Sequence, residues 1–199
     1  MAHVPLADEA DRLVSRLAYH YSRRRFGRVV DPVAAASHHS GVLVAMGALE
    51  TVAERGWRRL DHHLRWLVIQ ASAAEIGCSW CTDYGFYEGM QTGVDARKVR
   101  AVAQWRTSDL FDDTERAVLE YAEAATATPV IIGDDLVQRL HRHFSDAELV
   151  ELASWVALEN LRSRFNAGLG LRSQGFSSDC ALPAAQTSAH RPADAGAFG

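Results

Sequence analysis

The stretch AEIGCSWCTDYGFYEGMQTG, residues 74–93, constrains this chain more than any other. It sets a Cys-x-x-Cys pair, Cys78 and Cys81, between two glycines that read as helix stops. Gly77 can take the left-handed conformation just past a helix end without a Cβ penalty, and Gly93 is the next such position. The residues from about Cys78 to Thr92 therefore read as a short helix with Cys78 in its first turn. Free backbone N–H groups and the helix dipole stabilise a thiolate there. Cys81 falls about one turn on, close enough for a strained, reducible disulfide. Redox thiol chemistry is the first chemical expectation.

The rest of the chain reads as helices joined by short breaks. Leu13, Leu17 and Tyr21 recur at helical spacing behind Asp8, a candidate N-cap, and Phe26-Gly27 ends that helix. A second helix runs from about Ser40 to Arg55, closed by Gly56. Asp61 caps a third, HHLRWLVIQASAAEI, which is apolar over most of its circumference and delivers the chain into the cysteine pair. A helix of that kind packs between several neighbours or at a subunit interface, which predicts a homo-oligomer. Asp95, then Asp112 or Asp113, cap the next two, with Ala117, Val118, Tyr121 and Ala125 inward on the second. A shorter helix follows from about Asp134 to His143. Ser145 and Glu148 form the capping box of the last long helix, on which Leu149, Leu152, Ala153 and Val156 share a face. Val130-Ile131-Ile132 is the only β-like run, so the fold class is all-α, a helical bundle. Residues 1–39 read as an N-terminal helix and linker, 40–172 as the main globular unit, and 173–199 as a disordered tail that carries Cys180.

Charge and composition narrow the partners. Twenty-one basic residues against 25 acidic give a formal net charge of -4, which offers no electrostatic footprint for nucleic acid. No apolar run approaches the roughly 20 residues that span a bilayer, and the acidic N-terminus MAHVPLADEADRL has no apolar signal core. Three cysteines do not make a secreted disulfide framework, so a reducing, cytoplasmic location is expected.

Several of these segments together resemble the carboxymuconolactone decarboxylase-like family, in its alkylhydroperoxidase D branch. They are the L-R-W-L-V-I helix leading into G-C-S-W-C, the Gly93-Val94 break, Thr114-Glu115-Arg116-Ala117, F-S-D-A-E-L-V-E-L, and E-N-L-R-S-R-F-N. They cover most of residues 40–170. The resemblance implies an all-helical oligomer whose active site lies at the start of the cysteine helix. It implies that Cys81 attacks a hydroperoxide and that Cys78 closes the disulfide, whereas the helix terminus itself favours Cys78. It also implies that no metal or organic cofactor is needed, only a hydroperoxide or disulfide substrate and an external thiol electron donor. The decarboxylases proper lack the cysteine pair.

The chain departs from the branch at two positions. The family's glutamate on the preceding helix corresponds to Trp66, and the histidine of C-x-x-C-x-x-x-H corresponds to Gly85. Restoring the pair, as Trp66→Glu with Gly85→His, is expected to speed peroxide reduction. Glu75, Asp83 and Tyr84 are the nearby candidates for a substitute proton relay or for lining the site, together with positions 66 and 85 themselves. Other readings compete. The cysteines could be buried small hydrophobes, or half a zinc site completed by His62-His63 or by His141 and His143. The protein could be a catalytically silent or redox-sensing helical oligomer, or a decarboxylase-like lyase. His38-His39 reads as a helix cap, Glu159 and Arg162 as a surface pair on the helix that also carries Arg164 and Asn166, and the tryptophans as packing residues.

Overall fold

The computed structural model of the chain describes residues 1–6 and 10–177. Those residues form α1 (Leu13–Phe26), α2 (Asp31–Ala36), α3 (Ser40–Gly56), α4 (His62–Ile76), α5 (Ser79–Gln91) and α6 (Ala96–Ala101). A 3-10 segment (Val102–Thr107), α7 (Asp113–Thr126), α8 (Asp134–His141) and α9 (Asp146–Gly168) follow. No strand occurs among the described residues, and Val130 and Ile131 lie exposed in an irregular link. The all-α expectation holds.

The caps explain the boundaries. Asp61, Asp95, Asp112 and Ser145 each accept a backbone N–H from the first turn they precede, and Asp112–Glu115 and Ser145–Glu148 close full capping boxes. His39 caps α3 by accepting from the Val42 N–H, in line with its sequence reading. The start of α1 differs: the structure opens it at Leu13, and Asp8 lies outside the described residues.

Helix α4 is the centre of the bundle. It packs on α5, α7 and α9, and its Leu67 and Val68 are fully buried with Val118, Leu119, Leu152 and Trp155. The apolar circumference that predicted a subunit interface is thus covered within the chain. The unpartnered apolar surface lies elsewhere. Helix α1 buries Ser15, Tyr19 and Ser22, so Leu13, Leu17 and Tyr21 face outward. Helix α3 buries only Leu43 and Ala53 and exposes Val44, Leu49 and Val52.

Residues 173–177, expected in the tail, are instead a built strap. The Asp83 carboxylate accepts from Ser173 Oγ (2.8 Å), Phe176 N (3.0 Å), Ser177 N (2.8 Å) and Ser177 Oγ (2.6 Å). Gln174 receives the Trp80 indole N–H and the Asp31 backbone N–H on its Oε1, each at 2.8 Å. The strap so ties α2 to α5. Residues 178–199, with Cys180, lie outside the described residues.

Candidate functional site

Helix α4 ends where Gly77 takes φ 78°, and its N–H closes on the Ala73 carbonyl. Cys78 follows as the N-cap of α5, one step earlier than a first-turn position. Its Sγ accepts the backbone N–H of Cys81 at 3.2 Å. Cys78 and Cys81 are joined as a disulfide with their Cα atoms 5.3 Å apart. Both are buried, at 2% and 6% exposure, against Ala73 and Trp80. A sulfur in this place meets unsatisfied N–H groups and the positive end of a helix, which favours its anionic form.

The sulfurs also meet a side chain from the far end of the sequence. Asn166, on α9, is 2% exposed, and its Nδ2 donates to Cys81 Sγ at 3.3 Å, with Cys78 Sγ at 3.9 Å. Its Oδ1 has no hydrogen-bond partner among the described residues. The same is true of Gln70 Nε2 on α4, which is also buried. Burying an amide group without a partner costs about 1–3 kcal/mol. Asn166 was visible in the sequence only as one polar residue of a long helix.

The two relay positions of the family touch each other here. The Trp66 indole N–H donates to the Gly85 carbonyl at 2.8 Å, and the ring lies over α5. A Cβ on Gly89 would stand 2.7 Å from Trp66 Cε2, and one on Gly85 would stand 1.5 Å from Gln70 Nε2. The indole is therefore admitted by glycines on the facing helix. Trp66→Glu with Gly85→His would therefore require the amide end of Gln70 to move aside and would remove the ring that Gly89 accommodates.

The remaining candidates are placed as follows. Glu75 is exposed at the end of α4. Asp83 is buried; burial pushes its carboxyl up, but the hydrogen bonds from Ser177, Phe176 and Ser173 outweigh this and hold it below the usual carboxylate range. Those donors make it the anchor of the strap. Tyr84 stacks on Trp80 with ring centroids 5.4 Å apart and meets Phe26 and Phe176 edge-on. Burial, with Glu88 nearby, pushes its phenol well above the ordinary value, so it stays a neutral hydroxyl. His63 and Lys98 both bind the buried Glu115 carboxylate. Among the described residues no group of three His, Cys, Asp or Glu gathers to hold a metal.

Two turns before Asn166, α9 carries Glu159 at 2% exposure. Ser163 Oγ donates to Glu159 Oε1 at 2.6 Å, and Arg162 Nη1 stands 3.4 Å from Glu159 Oε2. Arg162 is shared: its Nε donates to Glu50 Oε1 at 2.7 Å and its Nη2 to Glu50 Oε2, from α3. Burial pushes the Glu159 carboxyl up to about 7, although Arg162 and Ser163 pull it down. The sequence paired Glu159 with Arg162 correctly but placed the pair on the surface.

Comparisons with known proteins agree with this fold. A model of the carboxymuconolactone decarboxylase family matches residues 44–124. The uncharacterized protein YnjA of Escherichia coli K12 is 35% identical over 161 residues, which cover 81% of this chain and 87% of that protein. Among solved structures, a Cys-to-Ala variant of the debrominase Bmp8 in complex with 2,3,4-tribromopyrrole superposes with a TM-score of 0.76. Its identity is 20%, and the match covers 88% of this chain and 95% of that one. An uncharacterized peroxidase-related protein from Ralstonia eutropha JMP134, described as an alkylhydroperoxidase AhpD core, gives a TM-score of 0.72. It is 17% identical, over 87% of this chain and 95% of its own. Among the described residues no helix is long and apolar enough to cross a membrane.

Proposed function

This chain belongs to the carboxymuconolactone decarboxylase family, in its alkylhydroperoxidase-like branch, and on that footing we propose that it is a thiol oxidoreductase that reduces hydroperoxides. The observation that carries the reading is the Cys78–Cys81 pair at the capped start of α5, within bonding distance, with a buried amide donor on Cys81 Sγ. A fold alone would not carry it, since the same architecture serves a debrominase.

In the proposed cycle the Cys81 thiolate takes the terminal oxygen of the peroxide. The O–O bond breaks, the alkoxide leaves as the alcohol once protonated, and sulfur becomes a sulfenic acid. Cys78 then displaces water from that sulfur, forming the disulfide seen here. An external dithiol supplies the two electrons that reopen it, and no resident cofactor takes part. Asn166 Nδ2 orients toward Cys81 and stabilises negative charge there, as the Cys81 N–H does for Cys78. The exposed apolar faces of α1 and α3 support assembly with further copies of the chain.

The test is hydroperoxide consumption by the reduced protein with a dithiol reductant. Turnover that disappears in both Cys78→Ser and Cys81→Ser supports the reading. Turnover that survives either substitution, or none in the natural chain under any dithiol, sinks it in favour of a redox-silent scaffold.

A further inference from the structure

We propose that α9 supplies the proton relay of this site, with Glu159 holding the proton and Ser163 passing it between Glu159 and Cys81. The inference rests on the thiol reading above. It is motivated by the loss of the relay expected on α4 and α5, where Trp66 and Gly85 close on each other.

The geometry is a single stripe of one helix. Glu159, Ser163 and Asn166 stand at i, i+4 and i+7, and such residues are neighbours on one face. All three are buried. The lower end of the stripe is a hydrogen bond from Ser163 to Glu159, and the upper end is a hydrogen bond from Asn166 to the Cys81 sulfur. Two buried amide atoms lie open nearby in the fold, Asn166 Oδ1 at the upper end and, on α4 beside Gly85, Gln70 Nε2. Neither has a partner among the described residues. Ser163 stands one turn from Asn166 on the same face, between Glu159 and the residue that meets the sulfur.

Charge arithmetic gives Glu159 a reason to exchange a proton. Arg162 is one guanidinium between two carboxylates, and its better-aligned contacts go to Glu50 on α3. Glu50 therefore leaves Glu159 undercompensated in a buried place, where the neutral acid and the carboxylate lie close in energy. The other charged groups around this seam are Glu88 from α5, itself shifted up by burial and by Glu54, with Arg65 from α4 and Arg25 from α1. None of these is bonded to Glu159. A carboxyl balanced near neutrality can take a thiol proton and return it.

In the step, the Cys81 S–H bond breaks and its electron pair stays on sulfur. The proton passes to the Ser163 oxygen while the Ser163 proton passes to a Glu159 carboxylate oxygen. The thiolate then attacks the terminal oxygen of the hydroperoxide, the O–O bond breaks, the hydroxyl proton of the peroxide passes to the leaving alkoxide, and the stored proton returns along the same path to the sulfenate oxygen now on Cys81. Sulfur is oxidised, peroxide is reduced to alcohol and no proton is lost to solvent. Neither Glu159 nor Ser163 touches substrate; both act through the sulfur.

The experiment follows alkylation of the reduced chain by iodoacetamide against pH, with the product mapped to Cys81. The relay predicts an inflection near pH 7 and a rate at that pH that drops at least tenfold in Glu159→Gln and in Ser163→Ala. Ser163→Ala removes only a hydroxyl, so it keeps the test alive if Glu159→Gln misfolds. Glu50→Gln is the decisive variant, because it alters a half-exposed residue of α3 that bonds to Arg162 and not to the sulfurs. It leaves Arg162 to Glu159 alone and should move the inflection to lower pH. Glu159→Gln and Ser163→Ala profiles that match the natural chain, or a Glu50→Gln profile with the inflection unmoved, overturn the relay. If the natural chain nevertheless consumes peroxide, only the relay falls. If the profiles follow the relay and peroxide is ignored, the relay stands and the peroxidase reading falls.

Discussion

Gly89→Ala puts the packing of the site to a test of sign. Gly89 lies inside α5, where alanine is ordinarily favoured over glycine by about 1 kcal/mol. Propensity alone thus predicts a more stable protein. The structure predicts the opposite, because the new Cβ would stand 2.7 Å from both Cε2 and Nε1 of Trp66 and 2.9 Å from Cζ2. Those are atoms of a rigid, buried ring and not the free end of a side chain. Overpacking of this kind costs about 1–3 kcal/mol. Moving the ring also breaks its hydrogen bond to the Gly85 carbonyl, which leaves the buried indole N–H open at about 1 kcal/mol. The net is a loss of about 1–3 kcal/mol, or roughly 3–10 °C in Tm for a chain of this size. Thermal melting of Gly89→Ala, Trp66→Phe and the double variant closes the cycle. The smaller ring should recover much of the loss in the double variant, giving a coupling of about 1 kcal/mol or more. A Gly89→Ala protein that melts higher than the natural chain would refute the reasoning, since propensity would then have won over contact.

Four further outcomes follow from other parts of the molecule. Asn166→Ala should raise the Cys81 thiol pKa by about 1–2 units, the equivalent of one hydrogen bond to a charged group, measured by pH-dependent alkylation. Glu159 has its folded pKa raised to about 7, above the unfolded value, so its contribution to stability is full below about pH 4.5 and is lost as pH rises through 7. The natural chain should accordingly lose Tm between pH 5 and 8 more steeply than Glu159→Gln. Asp83→Ala should cost about 2 kcal/mol or more and should speed proteolysis in residues 173–177, because four donors lose one acceptor. Val44→Asp with Val52→Asp on the exposed face of α3 should shift sedimentation toward the 21.9 kDa monomer, and an unchanged assembly would place the interface elsewhere.

The parts of this architecture that were legible in the sequence are those fixed by short-range chemistry. Asp61, Asp95, Ser145 and Gly77 act within a turn of themselves, so their caps could be read directly. The cysteine pair is equally local. What was not legible depends on partners far apart in the chain. Asn166 meets Cys81 across 85 positions and Arg162 meets Glu50 across 112, and no periodicity encodes either. The strap was hidden by composition: SQGFS reads as a polar tail until a buried carboxylate on α5 is seen to collect its N–H and O–H groups. Which face of α1 is buried was hidden in a similar way. Leu13, Leu17 and Tyr21 have the right spacing for a core stripe, but the chain buries Ser15, Tyr19 and Ser22, which bond to Ser37, Arg28 and Val30. Trp66 opposite Gly85 and Gly89 is a match of size across two helices, which neither segment reveals alone.

The central claim is that Cys78 and Cys81 are a reversible redox pair. It is tested most directly by treating the fully reduced chain with one equivalent of hydroperoxide and mapping every cysteine by mass before and after dithiol. The account predicts a Cys78–Cys81 disulfide that forms with consumption of the peroxide and reopens completely, with Cys180 left out of it. Recovery of the pair unmodified, or only as irreversible sulfonic acids, would contradict it.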